Sequence, residues 1–272
     1  MRNKSLELSL YVAGAGAFGV FLRWMENHLA FTEDGLAEPS AFHWMLGAFL
    51  IACLIVFWRF LRQIEEKNYF VPKEFGPALT SSVGLHAVLR AAAGGLMVLG
   101  GLLLLSKCEI DPFAGMLRLL AILAILSGLA FPLVLMEAQR DNPRAGLLSL
   151  LMLLPMLLYA VWLIYSYRSN AINSVPLAYG LDMLVAIVNM VACFRVAGFP
   201  FGAVQPWKAL LSVMLSGTIS IMSLADERYL GMELMLLAQA GQMLLYLWIL
   251  LQNLQQRERR VIIRKDDGFE HL

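Results

Sequence analysis

AFHWMLGAFLIACLIVFWRFLRQIEEK, residues 41–67, decides the fold. From Ala41 to Trp58 it holds no Asp, Glu, Lys or Arg, and then Arg59, Arg62, Glu65, Glu66 and Lys67 arrive together. A run of roughly 20 mainly apolar residues is what an α-helix needs to cross about 30 Å of hydrocarbon. The charges that end it belong at the polar surface. The apolar residues are continuous rather than alternating, so the run is a helix whose own backbone satisfies each N–H and C=O, and not a barrel strand.

The same pattern recurs along the chain. The predicted spans are Leu6–Met25, Ala41–Leu61, Ala87–Ser106, Phe113–Met136, Ala145–Tyr165, Val175–Val196, Trp207–Leu224 and Tyr229–Leu251. Of the 272 residues, 60% are hydrophobic and only 15% charged, with a mean hydropathy of +0.69. One water-soluble core cannot absorb that much apolar surface. The expected fold is an all-α, polytopic membrane helix bundle with a single transmembrane domain, 1–251, and a basic tail, 252–272. The seventh span is the weakest, because Ser212, Ser216, Thr218, Ser220 and Ser223 dilute it.

Basic residues orient the bundle, since short loops rich in Lys and Arg stay on the cytoplasmic side. Arg2 and Lys4; Arg59, Arg62, Lys67 and Lys73; Arg140 and Arg144; and Arg195 and Lys208 fall on one set of connections. The opposite set begins with residues 26–40, which have no Lys or Arg but carry Glu26, Glu33, Asp34 and Glu38. Its other members hold Lys107, Arg168 and Arg228. Both ends are therefore expected in the cytoplasm, in a membrane of the bacterial plasma-membrane type. Ala13-Gly14-Ala15-Gly16-Ala17 offers a signal peptidase small residues. However, the run before it is short and contains Glu7, and apolar character resumes with Phe18, Val20, Phe21 and Leu22. The segment is expected to remain as the first span.

Small residues predict helix contacts, because they let backbones approach closely in lipid. Ala13 with Ala17, Ala15 with Gly19, Ala91 with Gly95, the glycines 94, 100 and 101, and Ser212, Ser216 and Ser220 mark such faces. Pro132 and Pro155 lie inside spans and are expected to kink them. Leu79 to His86 is expected at the membrane interface. The last helix is expected to run on through Gln252, Gln255 and Gln256 into Arg257, Arg259, Arg260, Arg264 and Lys265, which would contact anionic lipid headgroups.

Polar residues deep in spans are the functional candidates, since an unpaired charge there costs on the order of 3 kcal/mol. Helical spacing puts Tyr179, Asp182, Asn189 and Cys193 on one stripe of the sixth span, and Gln239, Gln242 and Tyr246 on one stripe of the eighth. Arg118 lies at a depth similar to that of Asp182, so the two are predicted to form an ion pair, with Glu233 a rival partner. Arg90 and Glu137 form either a second pair or two side chains reaching for water. In one reading these stripes line the path of a small solute, with Asp182 as its proton or cation site. In the other the amides only join helices and the protein is a noncatalytic subunit or scaffold, with a homo-oligomer or a membrane-complex partner.

Catalysis, metals and cofactors are not expected. His28, His43, His86 and His271 are scattered and show no His-Glu-x-x-His helix. No Gly-x-Ser-x-Gly elbow, phosphate loop or dinucleotide-binding glycine pattern occurs. His28, His43, Glu33, Asp34 and Glu38 share an outer loop that reads as solvated. Cys53, Cys108 and Cys193 suggest no disulfide or metal clip, and the fifteen methionines are too dispersed for a soft-metal route. A net charge of +1, spread over inner loops, gives no nucleic-acid surface.

Overall fold

The computed structural model describes residues 2–30, 41–81, 84–138, 144–171 and 176–256. In chain order the elements are α1 (Arg2–Leu29), α2 (Ala41–Glu66), β1 (Tyr69–Phe70), α3 (Phe75–Leu79), α4 (Gly84–Leu105), α5 (Ala114–Ala138) and α6 (Ala145–Ser169). They continue as α7 (Pro176–Ala197), α8 (Pro206–Met222), a 3-10 turn (Ser223–Ala225), α9 (Leu230–Gln252) and β2 (Gln255–Gln256). Among the described residues, eight helices, all but α3, are long and apolar enough to span a membrane. The protein is a multi-pass helical membrane bundle. Eight crossings return the chain to the side from which it starts.

Six helices close a ring, α4–α5–α6–α7–α8–α9, in which each packs on the next and α9 packs back on α4. Helix α1 lies outside it against α8 and α9, and α2 packs on α1 and α8. Helix α9 is the most enclosed span and α2 the least, so α2 is essentially a lipid-facing helix with Trp44, Ile51 and Trp58 exposed. The serines of α8 explain how that span tolerates its polarity. Ser216 and Ser220 are fully buried, and Ser212 donates back to the Lys208 carbonyl at 2.7 Å.

Helix contacts use only some of the expected small residues. Gly16 and Gly19 of α1 abut Ile221 and Met222. On α4 the buried stripe runs through Arg90, Ala93, Gly94, Met97, Gly100, Gly101 and Leu104. That rotation leaves Ala91 and Gly95 on the exposed side, contrary to expectation; Ala17 is likewise exposed. Helices α5 and α6 remain helical through Pro132 and Pro155.

The connection between α2 and α4 and the tail differ from the sequence reading. Leu79 is buried in α3 rather than lying at the interface, and His86 is buried in α4. The last helix stops at Gln252. Asn253 then turns and its Nδ2 donates to the carbonyls of Ala78 at 2.8 Å and Thr80 at 2.9 Å. These bonds bind the chain to carbonyls around the end of α3, and Gln255 and Gln256 pair antiparallel with Phe70 and Tyr69. The basic residues 257, 259, 260, 264 and 265 lie outside the described residues, as do Glu33, Asp34 and Glu38.

Candidate functional site

A polar cluster caps the end of the bundle at which α1 finishes and α2 begins. The 3-10 turn after α8 delivers Asp226 and Arg228 into it. Arg228 Nε donates to Asp182 Oδ1 at 2.8 Å and its Nη2 to Asp226 Oδ2 at 3.0 Å, while Nη1 closes on the Ser223 carbonyl. Arg23, nearly two turns before the end of α1, donates through Nε to the other oxygen of Asp226 at 2.6 Å and through Nη1 to Glu26 at 2.6 Å. Glu26 Oε1 lies 2.6 Å from His43 Nδ1 of α2. Asn27 Nδ2 joins at Asp226 Oδ1, 3.1 Å away. The second oxygen of Asp182 accepts from the Ser166 hydroxyl of α6. One continuous chain of charge-assisted bonds thus ties α1, α2, α6, α7 and the α8–α9 connection together.

Asp111 supports the same end from the α4–α5 connection. Its Oδ1 accepts the Phe113 N–H at 2.7 Å, which secures the start of α5, and its Oδ2 accepts the hydroxyls of Tyr165 at 2.7 Å and Tyr229 at 3.1 Å. Burial and the bond to Asp111 push the Tyr229 phenol above its ordinary value, which keeps it a donor.

These groups border an open vestibule of about 810 Å³, into which Tyr179, Asp182, Arg228, Asn170 and His28 project. Beneath it the polar side chains are enclosed. Asn189 of α7 is fully buried, and its Oδ1 accepts Ser216 at 2.5 Å and Ser220 at 3.0 Å. Gln239 Nε2 donates to Cys193 Sγ at 3.2 Å across the ring. Among the described residues, Asn189 Nδ2, Gln239 Oε1, Thr218 Oγ1 and both amide atoms of Gln242 have no hydrogen-bond partner. Tyr159 and Trp162 of α6, their rings stacked 5.8 Å apart, are buried with them and close the interior. Toward the opposite end of the bundle a gap of about 20 Å³ separates Pro155 and Met152 from Cys193, Met243 and Tyr246.

The predicted residues therefore divide into three levels. Tyr179 and Asp182 meet at the vestibule; Asn189, Gln239 and Gln242 lie buried below; Tyr246 lies deeper, under the Arg90 guanidinium at 5.0 Å from its ring centroid. Arg118 belongs to none of them. The α5 stripe Leu117, Leu120, Ala121 and Ala124 turns inward, which puts Arg118 on the exposed face with Leu119 and Ile122, and Arg228 takes its place opposite Asp182. Glu137 accepts the Arg144 N–H at 2.7 Å, and Arg90, with no exposed surface, neither pairs with it nor reaches water. Glu26 and His43, read as part of a solvated loop, are helical and joined to each other.

The reading from sequence missed Arg23, Glu26, Asp111, Tyr165, Ser166, Asp226 and Arg228. The available signal was local: Arg23 and Glu26 stand at i,i+3 on one helix face.

Fold and cluster together define an eight-span integral membrane protein with an ion-paired vestibule at one end. No protein-family model, curated protein or solved structure matches the chain.

Proposed function

We propose that the protein is a permease for a small polar solute, in a bacterial-type cytoplasmic membrane and without catalytic chemistry. The observation that carries this reading is vertical order. An open vestibule ending at Asp182 stands above Asn189, Gln239 and Gln242, amides with unused hydrogen-bonding atoms inside a closed ring of helices. Buried polar atoms are normally paired, and several unpaired amides in one membrane interior suit a transient polar occupant. Asp182 offers the protonatable group, and release of its bond to Arg228 would open the way past Ser166. Tyr159 and Trp162 are the plug that must move, which makes this arrangement the occluded or outward-facing one. A hydrogen bond between spans is typically worth about 0.6 kcal/mol, so rearranging a few of them is within reach of solute binding.

A second reading draws on the outer cluster itself. Each carboxylate and guanidinium in it has a partner, as in a static brace, and the weakly enclosed α2 offers a long apolar face to another membrane subunit or a second copy. Reconstitution into liposomes with a solute screen separates the two. The permease reading expects uptake that Asp182→Asn abolishes while the variant keeps a cooperative melting transition. A stoichiometric partner copurifying after mild crosslinking, with no uptake by the protein alone, would replace it with the subunit reading.

A further inference from the structure

We infer that Arg90 is the binding site of a small monovalent anion inside the bundle, on the cytoplasmic half of the membrane. Arg90 sits on the buried face of α4 with no exposed surface, and none of its three side-chain nitrogens has a hydrogen-bond partner among the described residues. Its guanidinium carbon lies over the face of Tyr246, 5.0 Å from the ring centroid. A ring face stabilises the cation's charge but leaves the in-plane N–H donors unused. Arginine is not neutralised by burial as lysine is, and a buried charge without a counter-charge is the least stable arrangement available to it. Among the described residues no carboxylate lies within hydrogen-bonding reach of Arg90. Asp182, Asp226, Asp111 and Glu26 are engaged at the opposite end of the bundle, and Glu137 accepts the Arg144 N–H.

A counter-charge supplied from solution resolves the imbalance, and the surroundings state its chemistry. A planar fork of donors matches a carboxylate in two parallel bonds and accepts a halide at one point. Gln242, one helical turn before Tyr246 on α9, is fully buried, and its amide lies near the Tyr246 hydroxyl without a hydrogen bond of normal geometry. It adds a donor for the anion or an acceptor for a neighbouring hydroxyl. Gly94, one helical turn after Arg90 on the buried face of α4, lets that helix approach the backbone of α5 at Gly128, and so tight an approach favours a compact anion over a bulky one.

The test is thermal unfolding of the full-length protein in neutral detergent, with sodium formate or sodium chloride replacing the sodium salt of a bulky sulfonate at constant ionic strength. Binding to the folded state alone raises the melting temperature by about 5 °C or more over a hundredfold excess above the dissociation constant. The wild type is expected to show that rise, Arg90→Met to lose it, and Arg90→Lys to keep it at higher concentration because the charge remains without the fork. A larger effect of formate assigns the site to carboxylates, and a larger effect of chloride to inorganic halide. A wild type that ignores the exchange of anions overturns the inference, as does an equal rise in Arg90→Met. Should Arg90→Met fail to fold, the wild type and Arg90→Lys still decide. No flux enters the measurement, so its result is independent of the permease reading.

Discussion

A methyl group added at Gly100 would strike the backbone of α9, whereas the same methyl at Gly95, little more than one turn away on α4, would meet nothing. A Cβ at Gly100 stands 2.6 Å from the Gly231 carbonyl oxygen and 2.8 Å from Met235 Cγ, and the reciprocal Cβ at Gly231 stands 2.6 Å from the Gly100 oxygen. Carbon to carbonyl-oxygen contacts settle near 3.3–3.6 Å, so the two helices must separate by about 0.7 Å or more. Overpacking of this kind costs about 1–3 kcal/mol, offset by about 0.5–1 kcal/mol gained when Ala replaces Gly in a helix. Gly95→Ala, with no atom within 4 Å, receives the helical gain alone. The helical gain is common to both, so the two variants should differ by the overpacking cost, about 1–3 kcal/mol, or about 2–12 °C in melting temperature for a chain of this size. The free cysteines 53, 108 and 193 are all buried, so a thiol-reactive fluorophore reports unfolding directly. Equal melting temperatures for Gly95→Ala and Gly100→Ala would refute the close approach of α4 and α9.

Three further outcomes follow from the outer cluster and the topology. In double-mutant cycles read by thermal stability, Arg228→Gln and Asp182→Asn should couple by about 1 kcal/mol or more, while Arg118→Gln and Asp182→Asn should add within about 0.5 kcal/mol; the reverse result would restore Arg118 as the partner. The Tyr229 phenol has a raised pKa in the folded state, so the folded protein holds its proton more tightly than the unfolded chain does. That contribution is complete below the unfolded value and is lost as pH climbs through the folded one. Tyr229→Phe should therefore flatten the alkaline fall in melting temperature above about pH 10, and an unchanged pH profile would contradict the Asp111 contact. Finally, single cysteines at the exposed positions Glu227 and Glu74 should react with an impermeant maleimide from opposite sides of intact cells, Glu227→Cys from outside. Labelling of Glu74→Cys from outside would invert the topology drawn from the basic residues.

The spans were legible in the sequence and their rotation was not. Continuous apolar runs ended by charge place each span along the chain: α5 and α9 begin within one residue of Phe113 and Tyr229, whereas α2 runs on past Arg59 and Leu61 to Glu66. Choosing which side of a helix faces inward needs an apolar–polar contrast, and lipid removes it, because the outward face of a membrane helix is as apolar as the inward one. Arg118 and Asp182 matched in depth, but nothing in Leu117, Leu119, Leu120 and Ile122 distinguishes the exposed side from the buried one. The stripes on α7 and α9 were readable for the complementary reason: Asp182, Asn189, Gln239 and Gln242 are polar where lipid forbids polarity, which forces them inward.

The connections hid the rest. Arg228 serves the topology and the vestibule at once, since a basic residue just past a helix end reads as a side marker whether its side chain meets water or Asp182. Two residues decide between those fates. Ser223 supplies a carbonyl that draws Arg228 back over the 3-10 turn, and Asp226 places a carboxylate between Arg228 and Arg23. Each is unremarkable alone, and their roles emerge only when α1 and α7 bring Arg23 and Asp182 to the same level. The same logic applies at the other end, where Asn253 stops α9 because the carbonyls near the end of α3 are within reach. In a bundle whose helices are prescribed by hydropathy, the specific chemistry gathers at the ends and in the few polar positions between them, where contacts distant in sequence decide the partner.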